Sequence, residues 1–458
     1  MSSANERDAV RVPGIGFPVA TTIRDALYDR IPLSAPELAI ISTKTFLRLE
    51  RIQQLGFVSR IWPGAKHTRY EHSLGVLHLA RLAVDHLRSN SSGSWITDED
   101  TRVIAAAALL HDVGHYPFSH AIEELGPPIL SHEEVGRRLI EDSDISPILR
   151  DAWGVDPARV ASVVSPRGRL LTQADMVLRQ VLSGPLDVDK LDYLPRDARA
   201  CNVPYGGVDT ARLIDSLTIV RQDDNTPPGI AIGAKGISPL HSLINARQEM
   251  FDNVYWHHTN RACMVMLLRA IQEAVLAGVV TPDTLTDHDD ASLLALMSGE
   301  LMPLPARRLT AALYERRIHK RAVEVSARSR DLYEQLGALY HDPMARRDVE
   351  LQLVTSLAEL IGEEVPSEAV LIDIPKPERW RTGVVVAFDR PPVGFAPLMP
   401  WSEVVGLTDD DFKRYEEHRR LIRIVAAEPY RELVAANWER LLFPALESAT
   451  RAASPSEI

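Results

Sequence analysis

The run ALLHDVGHYPFSH, residues 108–120, places His111, Asp112, His115 and His120 within ten residues at the end of an apolar stretch. Imidazoles and carboxylates both move protons and bind metal ions. His72 in HTRYEHSLGV and Asp189 in LDVDKLDYLPRDA extend the set, giving His72, His111, Asp112 and Asp189 as candidate metal ligands. Two imidazoles and two carboxylates suit Zn, Mn, Fe, Co or Ni, with Mg less well served by imidazole. A six-coordinate ion held this way leaves positions for water or a phosphate oxygen. It can lower the pKa of that water and neutralise phosphate charge. A lone buried histidine is more often a hydrogen-bonded core residue, and an HD dipeptide arises by chance. The combination of separated motifs carries the reading.

These residues need elements to position them. His111 and Asp112 point roughly 100° apart if both are helical, so one ion must sit over the helix end. Gly114 and Pro117 loosen the backbone there. DEDTRVIAAAALLHDVG opens with acids that suit a helix N-terminus. SLGVLHLARLAVDHL has an apolar face at helical spacing, and FLRLERIQQLG reads as a helix stopped by Gly56. HEEVGRRLIED, ADMVLRQVLSG and DTARLIDSLTIV read as helices, and the segment from SPLHSL to AVLAG as one long continuous helix. ALYDRIPLS fits a short strand or hairpin. After about residue 280, AVLIDIP, TGVVVAFDRPP and LIRIVAAE have β-branched character. The acidic TDHDDAS marks a boundary near 280–305. The expected fold is mainly α: an arm with a short strand or hairpin over 1–35, an all-helical core over 36–285, and a smaller α+β C-terminal region over 286–458.

Composition narrows the partners. The 458 residues include 63 acidic and 51 basic side chains, a net charge of −12. Such a chain does not coat nucleic acid and holds a polyanion only through local cations or a metal. The arginine-rich stretch from Arg307 to Arg321 keeps nucleic acid open but reads better as a solvated face. Cys201 and Cys263 form no disulfide framework. With a polar N-terminus that lacks a signal peptide's apolar core, this makes the cytoplasm the expected location. The longest apolar run, Val103 to Leu110, is too short to span a bilayer, so no membrane is expected. Neither a GxGxxG after a strand nor a P-loop motif is present.

From RLERIQQLG through WPGAKHTRYEHSLGV, LLHDVGHYPFSH, SHEEVG and DVDKLDYLPRDA to MFDNVYWHHTNR, the chain resembles the HD-domain deoxynucleoside triphosphate triphosphohydrolases. These are bacterial relatives of the human SAM- and HD-domain enzyme. The resemblance covers roughly residues 20 to 280 and implies an HD-domain phosphohydrolase core; the C-terminal third matches only in texture. It implies a divalent metal (Mn, Fe, Co, Zn or Mg) held by His72, His111, Asp112 and Asp189, in agreement with the ligand chemistry above. It implies that Arg69, Lys190 and Tyr193 cradle a triphosphate, although spacing alone reads the two cations as solvated surface charges. His115, His120 and His132 resemble a second histidine set near the α-phosphate. Glu123, three residues after His120, would pair with it on a helix. A carboxylate beside a histidine raises its pKa, which suits a general acid.

Gln54 and Leu55 resemble a sugar gate that favours deoxynucleotides, Asp197 and Tyr193 sugar-side contacts, and Tyr255 and His258 base- and phosphate-facing residues. There are departures. Glu50 and Ser42 stand where the human enzyme reads an activating nucleotide, which leaves such an activator open. Val254 stands at a triphosphate-binding arginine's place, with Arg261 a shifted candidate. The sequence has no room for an N-terminal SAM domain. The resemblance implies a homo-oligomer that converts a dNTP to deoxynucleoside and triphosphate. The alternatives are another HD-type phosphohydrolase, a nucleotidase or phosphodiesterase, or a nucleotide- or nucleic-acid-responsive binding protein.

Overall fold

The structure is a computed structural model and describes residues 11–167, 171–221, 226–376 and 383–453; the side chains of Ser119, His120, residues 415–418 and those after 448 lie outside the description. The protein is mainly α, with small sheets.

A hairpin of β1 (Val19–Asp25) and β2 (Asp29–Ser34) precedes the helical core. FLRLERIQQLG forms only a short helical turn at Lys44–Leu47 and a 3-10 turn at Arg48–Arg51. The turn ends at Arg51, before Gly56; Gly56 instead opens a further 3-10 turn (Gly56–Arg60) with φ +53°, a conformation that glycine adopts readily. Helix α1 (Arg69–Ser89) starts where Glu71 accepts the Thr68 backbone N–H at 3.1 Å. Helix α2 (Asp98–Leu110) starts at Thr97, whose side chain accepts from Asp100, and keeps three acids in its first turn. Helix α3 (His132–Asp142) is capped by Ser131. Helix α4 (Val188–Cys201) is capped by Asp187, which accepts the Lys190 N–H at 2.8 Å.

Two further readings from periodicity are corrected. DTARLIDSLTIV is not one helix: Thr210–Ile214 is helical, but Leu217–Val220 is strand β3, paired with β4 (Gly229–Gly233). Its β-branched end finds ladder partners, and tertiary pairing overrides local pattern. The long helix is also divided. α5 (Ile237–Met250) passes through a wide turn at Phe251–Tyr255 and breaks before α6 (His258–Leu276). Such a bulge redirects the side chains that follow it.

The C-terminal region adds helices and two sheet pieces. β5 (Lys320–Val325), β9 (Ile422–Ala426) and β6 (Val370–Asp373) form a sheet in the order β5–β9–β6. β7 (Val385–Ala387) pairs in parallel with β4 and is followed by β8 (Leu398–Pro400). Val384, Val386 and Trp401 are buried in the same cluster as Leu77, Ala106 and Leu194 of the helical core. A second buried cluster joins Phe57 and Tyr116 to Met266, Leu309, Leu371 and Val425. Apolar burial is therefore continuous between the helical core and the last third of the chain. No helix among the described residues is long and apolar enough to cross a membrane.

Candidate active site

His72, on buried α1, and His111, at the C-terminal end of α2, bring their Nε2 atoms to 3.3 Å. The other ring nitrogens set the tautomers. His111 Nδ1 donates to the Ala108 carbonyl at 2.8 Å, and His72 Nδ1 to Asp192 Oδ2 at 2.8 Å. A carbonyl or an ionised carboxylate only accepts, so in the neutral rings both Nε2 atoms present lone pairs to the same point. Asp189 Oδ1 lies 3.0 Å from His72 Nε2 and 3.8 Å from His111 Nε2. Asp112 completes the ring, 3.3 Å from His111 Nε2 through Oδ1 and 3.7 Å from His72 Nε2 through Oδ2.

Facing lone pairs and two carboxylates repel unless a cation lies among them. Burial opposes a charge on His72, but hydrogen bonds to Asp189 and Asp192 and the charges of Asp192 and Asp112 outweigh it, pushing its pKa up to about 10. The protein thus has a strong demand for positive charge at this point. The ligand atoms of His72, His111 and Asp189 all lie within 4.8 Å of one another, and the set can hold a divalent metal ion.

Asp192, not singled out from the sequence, anchors the site from behind. Burial would raise its pKa, but hydrogen bonds from Arg196 and His72 hold it down to about 2. It also accepts the Tyr28 hydroxyl at 2.8 Å, and Arg196 reaches on to Asp25 at 2.9 Å, so the β1–β2 turn is tied to the site. A Cβ at Gly75 would fall 1.9 Å from Asp192 Oδ1, so only glycine lets α1 lie against this carboxylate. A polar residue one turn beyond DVDK, four before an arginine, was the available signal.

Asp112 also belongs to a second cluster with His115 and His132. Its Oδ2 pairs with Arg69 Nη1 at 2.5 Å and its Oδ1 with His115 Nε2 at 3.1 Å. Burial would raise the Asp112 pKa, but Arg69, His111 and His115 hold it well below the usual carboxylate range. Arg69 is buried at 2% exposure, not a solvated charge. Burial, with Arg69 and His132 nearby, pushes the His115 pKa well down, so its ring is neutral. The His132 ring stacks on His115 with centroids 3.9 Å apart. Burial opposes its protonation, yet the hydrogen bond to Glu123 at 2.8 Å raises its pKa. The carboxylate at His132 is thus Glu123, nine residues back. The His120 side chain, expected to pair with Glu123, lies outside the described residues. Gly114 serves close approach as well as freedom, since a Cβ there would meet the His132 carbonyl at 2.2 Å.

A cavity of about 400 Å³ opens beside Asp189. Gln54, Leu55, Arg69, Lys190, Tyr193, Asp197 and Tyr255 all line it. Lys190 Nζ is held by Asp187 at 2.5 Å. Burial pushes the Tyr193 phenol up to about 12, which keeps it protonated. Asp197 accepts Tyr255 Oη at 2.7 Å and faces His67 Nε2 at 2.7 Å. His258 is not among the residues lining the cavity; it stacks on His257 at the start of α6. Val254 is fully buried, whereas Arg261 lines the cavity, tied to Asp373 at 2.6 Å and to Glu124 at 3.1 Å. Arg247 and Lys376 line the cavity and were missed. The spacing Arg247, Phe251, Tyr255, four and four, was the legible signal for the first. Lys376 follows β6 and could not be placed without the tertiary fold.

Comparison with known proteins agrees with this geometry. Residues 69–179 match the HD domain and residues 208–391 the HD associated region. The chain is 31% identical over 275 residues to the uncharacterized protein MJ1154 of Methanocaldococcus jannaschii, covering 60% of this chain and 54% of that one. It is 30% identical over 269 residues to the deoxynucleoside triphosphate triphosphohydrolase SAMHD1 homolog of Dictyostelium discoideum, covering 55% and 49% of the two chains. Against human SAMHD1 it is 27% identical, covering 60% and 48%. The chain spans about half the length of these curated relatives. A crystal structure of a hypothetical protein from Aquifex aeolicus shares the fold with a TM-score of 0.67 and 23% identity, over 91% of this chain and 99% of that one. His72, His111 and Asp112 lie inside the HD match and Asp189 on α4 lies between the two matches, so the chain carries an HD domain followed by an HD-associated region, with the paired histidines and carboxylates at their junction.

Proposed function

We propose that this protein is a metal-dependent phosphohydrolase that converts a dNTP to deoxynucleoside and triphosphate by water attack at the α-phosphorus. The observation that carries the reading is one convergence: four metal-capable side chains meet at a point that opens onto a cavity lined by Arg69, Lys190, Arg247, Arg261 and Lys376. An acidic protein that gathers five cations around one cleft selects a polyanion there. The cavity volume falls in the usual range for small-molecule sites, roughly 300–1,000 Å³.

His72, His111, Asp112 and Asp189 would hold the ion, which when bound supplies Lewis acidity toward water and phosphate. Arg69 neutralises Asp112 and offers its guanidinium edge to the cleft. Tyr193 keeps its proton and donates to a phosphate oxygen. His132, kept protonated by the Glu123 carboxylate at Nδ1, delivers its Nε2 proton to the leaving 5′-oxygen and is left as the neutral Nδ1–H ring. Gln54 and Leu55 face the sugar, where a leucine leaves no room for a 2′-hydroxyl. The SAMHD1 relatives, named as triphosphohydrolases of deoxynucleoside triphosphates, support this substrate class.

The test is to incubate the purified protein with each dNTP and NTP in Mn, Mg, Co and Fe and to separate the products by ion-exchange chromatography. Intact triphosphate with deoxynucleoside is the expected result. Orthophosphate, pyrophosphate or no turnover would overturn it in favour of another phosphoester or a binding role.

A further inference from the structure

The acidic segment Asp287–Asp290, read from the sequence only as a boundary, reaches back to the cavity walls. Asp290 opens a short helix (Asp290–Met297), yet its carboxylate is 8% exposed. Its two oxygens serve two different loops. Oδ2 accepts the backbone N–H of Gln53 at 2.9 Å, and Oδ1 accepts that of Phe118 at 2.8 Å. Gln53 immediately precedes Gln54 and Leu55 of the cavity wall, and Phe118 itself lines the cavity. Neighbours reinforce the tie. Arg48 joins the His288 carbonyl at 3.0 Å to the His115 carbonyl at 2.7 Å, and Arg51 pairs with Asp289 at 2.7 Å.

We propose that Asp290 is a positioning residue for sugar selection, setting the gap between the Gln54–Leu55 loop and the Phe118 loop. Phe118 has φ +57°, a left-handed conformation uncommon for a bulky residue, so it needs an external tie to stay in place. Its ring stacks on Phe57 with centroids 4.5 Å apart, so any movement of one loop is felt by the other. A carboxylate suits this task because both of its oxygens only accept. Asparagine has the same shape but presents an N–H₂ group to one of the two backbone N–H groups. That breaks one tie and leaves the other.

The inference rests on the proposed dNTP site, and two readouts keep its failure separate from that of the proposal. The first needs no substrate. Hydrogen–deuterium exchange of peptides covering 52–57 and 116–122 should quicken about tenfold or more in one of them in Asp290→Asn, since a hydrogen bond to a charged group is lost. The second is the ratio of kcat/KM for a dNTP over the matching NTP, which should fall by a similar factor while bound Mn²⁺ stays stoichiometric. Ser292→Ala, which removes the hydroxyl that accepts the Asp289 N–H at 2.9 Å in the cap of the same helix, should leave the ratio unchanged. Equal loss in Ser292→Ala, or Asp290→Asn with unchanged exchange and an unchanged ratio, would overturn the proposal. If the unaltered protein hydrolyses neither nucleotide, the substrate reading fails, and exchange alone decides whether Asp290 clamps the loops.

Discussion

Replacing Asp192 by Asn tests whether the second layer behind His72 governs the metal. Four donors converge on this buried carboxylate: His72 Nδ1 at 2.8 Å, Tyr28 Oη at 2.8 Å, Arg196 Nε at 2.8 Å and Arg196 Nη2 at 2.9 Å. The asparagine amide exchanges one oxygen for a donor. If the nitrogen replaces Oδ2, His72 Nδ1 and Arg196 Nε lose their acceptor. If it replaces Oδ1, Arg196 Nη2 does, while the Tyr28 hydroxyl can turn to accept. Either way at least one bond of the buried guanidinium becomes donor against donor, and neither orientation leaves His72 Nδ1 a charged partner. Breaking a buried charge pair costs about 3–5 kcal/mol, and Arg196 keeps Asp25, so stability should fall by about 3 kcal/mol. Loss of the carboxylate behind a ligating histidine lowers metal affinity about 10–100-fold, or roughly 1.4–2.7 kcal/mol. The assay is titration with Mn²⁺ followed by the paramagnetic signal of the free ion, at a temperature where urea unfolding shows both proteins folded. Tyr28→Phe removes one hydroxyl without touching His72 and should lower affinity less than about tenfold. A folded Asp192→Asn protein with unchanged Mn²⁺ affinity would refute the reasoning.

Three further outcomes are expected. His111→Ala and Asp112→Ala should each abolish phosphoester hydrolysis while circular dichroism stays native; turnover in both would remove the metal assignment. Arg247→Ala should raise KM about tenfold or more with a smaller change in kcat, as loss of a charge-assisted contact to phosphate predicts; saturation kinetics with an unchanged KM would exclude Arg247 from the substrate. Arg159 joins Asp100, Asp175 and Glu99 across three helices. Burial opposes it, but Arg159 and Thr97 together lower the Asp100 pKa, so this pairing adds stability above about pH 4 that is lost as pH falls through the lowered folded value. The gap in urea stability between the unaltered protein and Arg159→Ala should therefore narrow from pH 7 to pH 3, and a constant gap would contradict the assignment.

The sequence alone made helices α1 and α2 and the converging histidines and carboxylates legible. Helices α1 and α2 were legible because their apolar faces repeat at helical spacing and their acids suit N-termini, both local effects. His111 and Asp112 were legible because few other demands place imidazoles and carboxylates at the end of an apolar helix, and His72 and Asp189 because they stand in separate motifs of the same kind on α1 and α4. Only the tertiary structure decided the rest. The strand at Leu217–Val220 exists because β4 lies beside it, which no local propensity records. The turn at Phe251–Tyr255 divides a helix that periodicity reads as continuous, and it lets Phe251 and Tyr255 face the same cavity as Arg247. Asp290 carried no signal of its own, and Asp192 only that of a carboxylate four residues before an arginine. Apart from Arg196, their partners lie 120 or more residues away in the chain, brought together by packing.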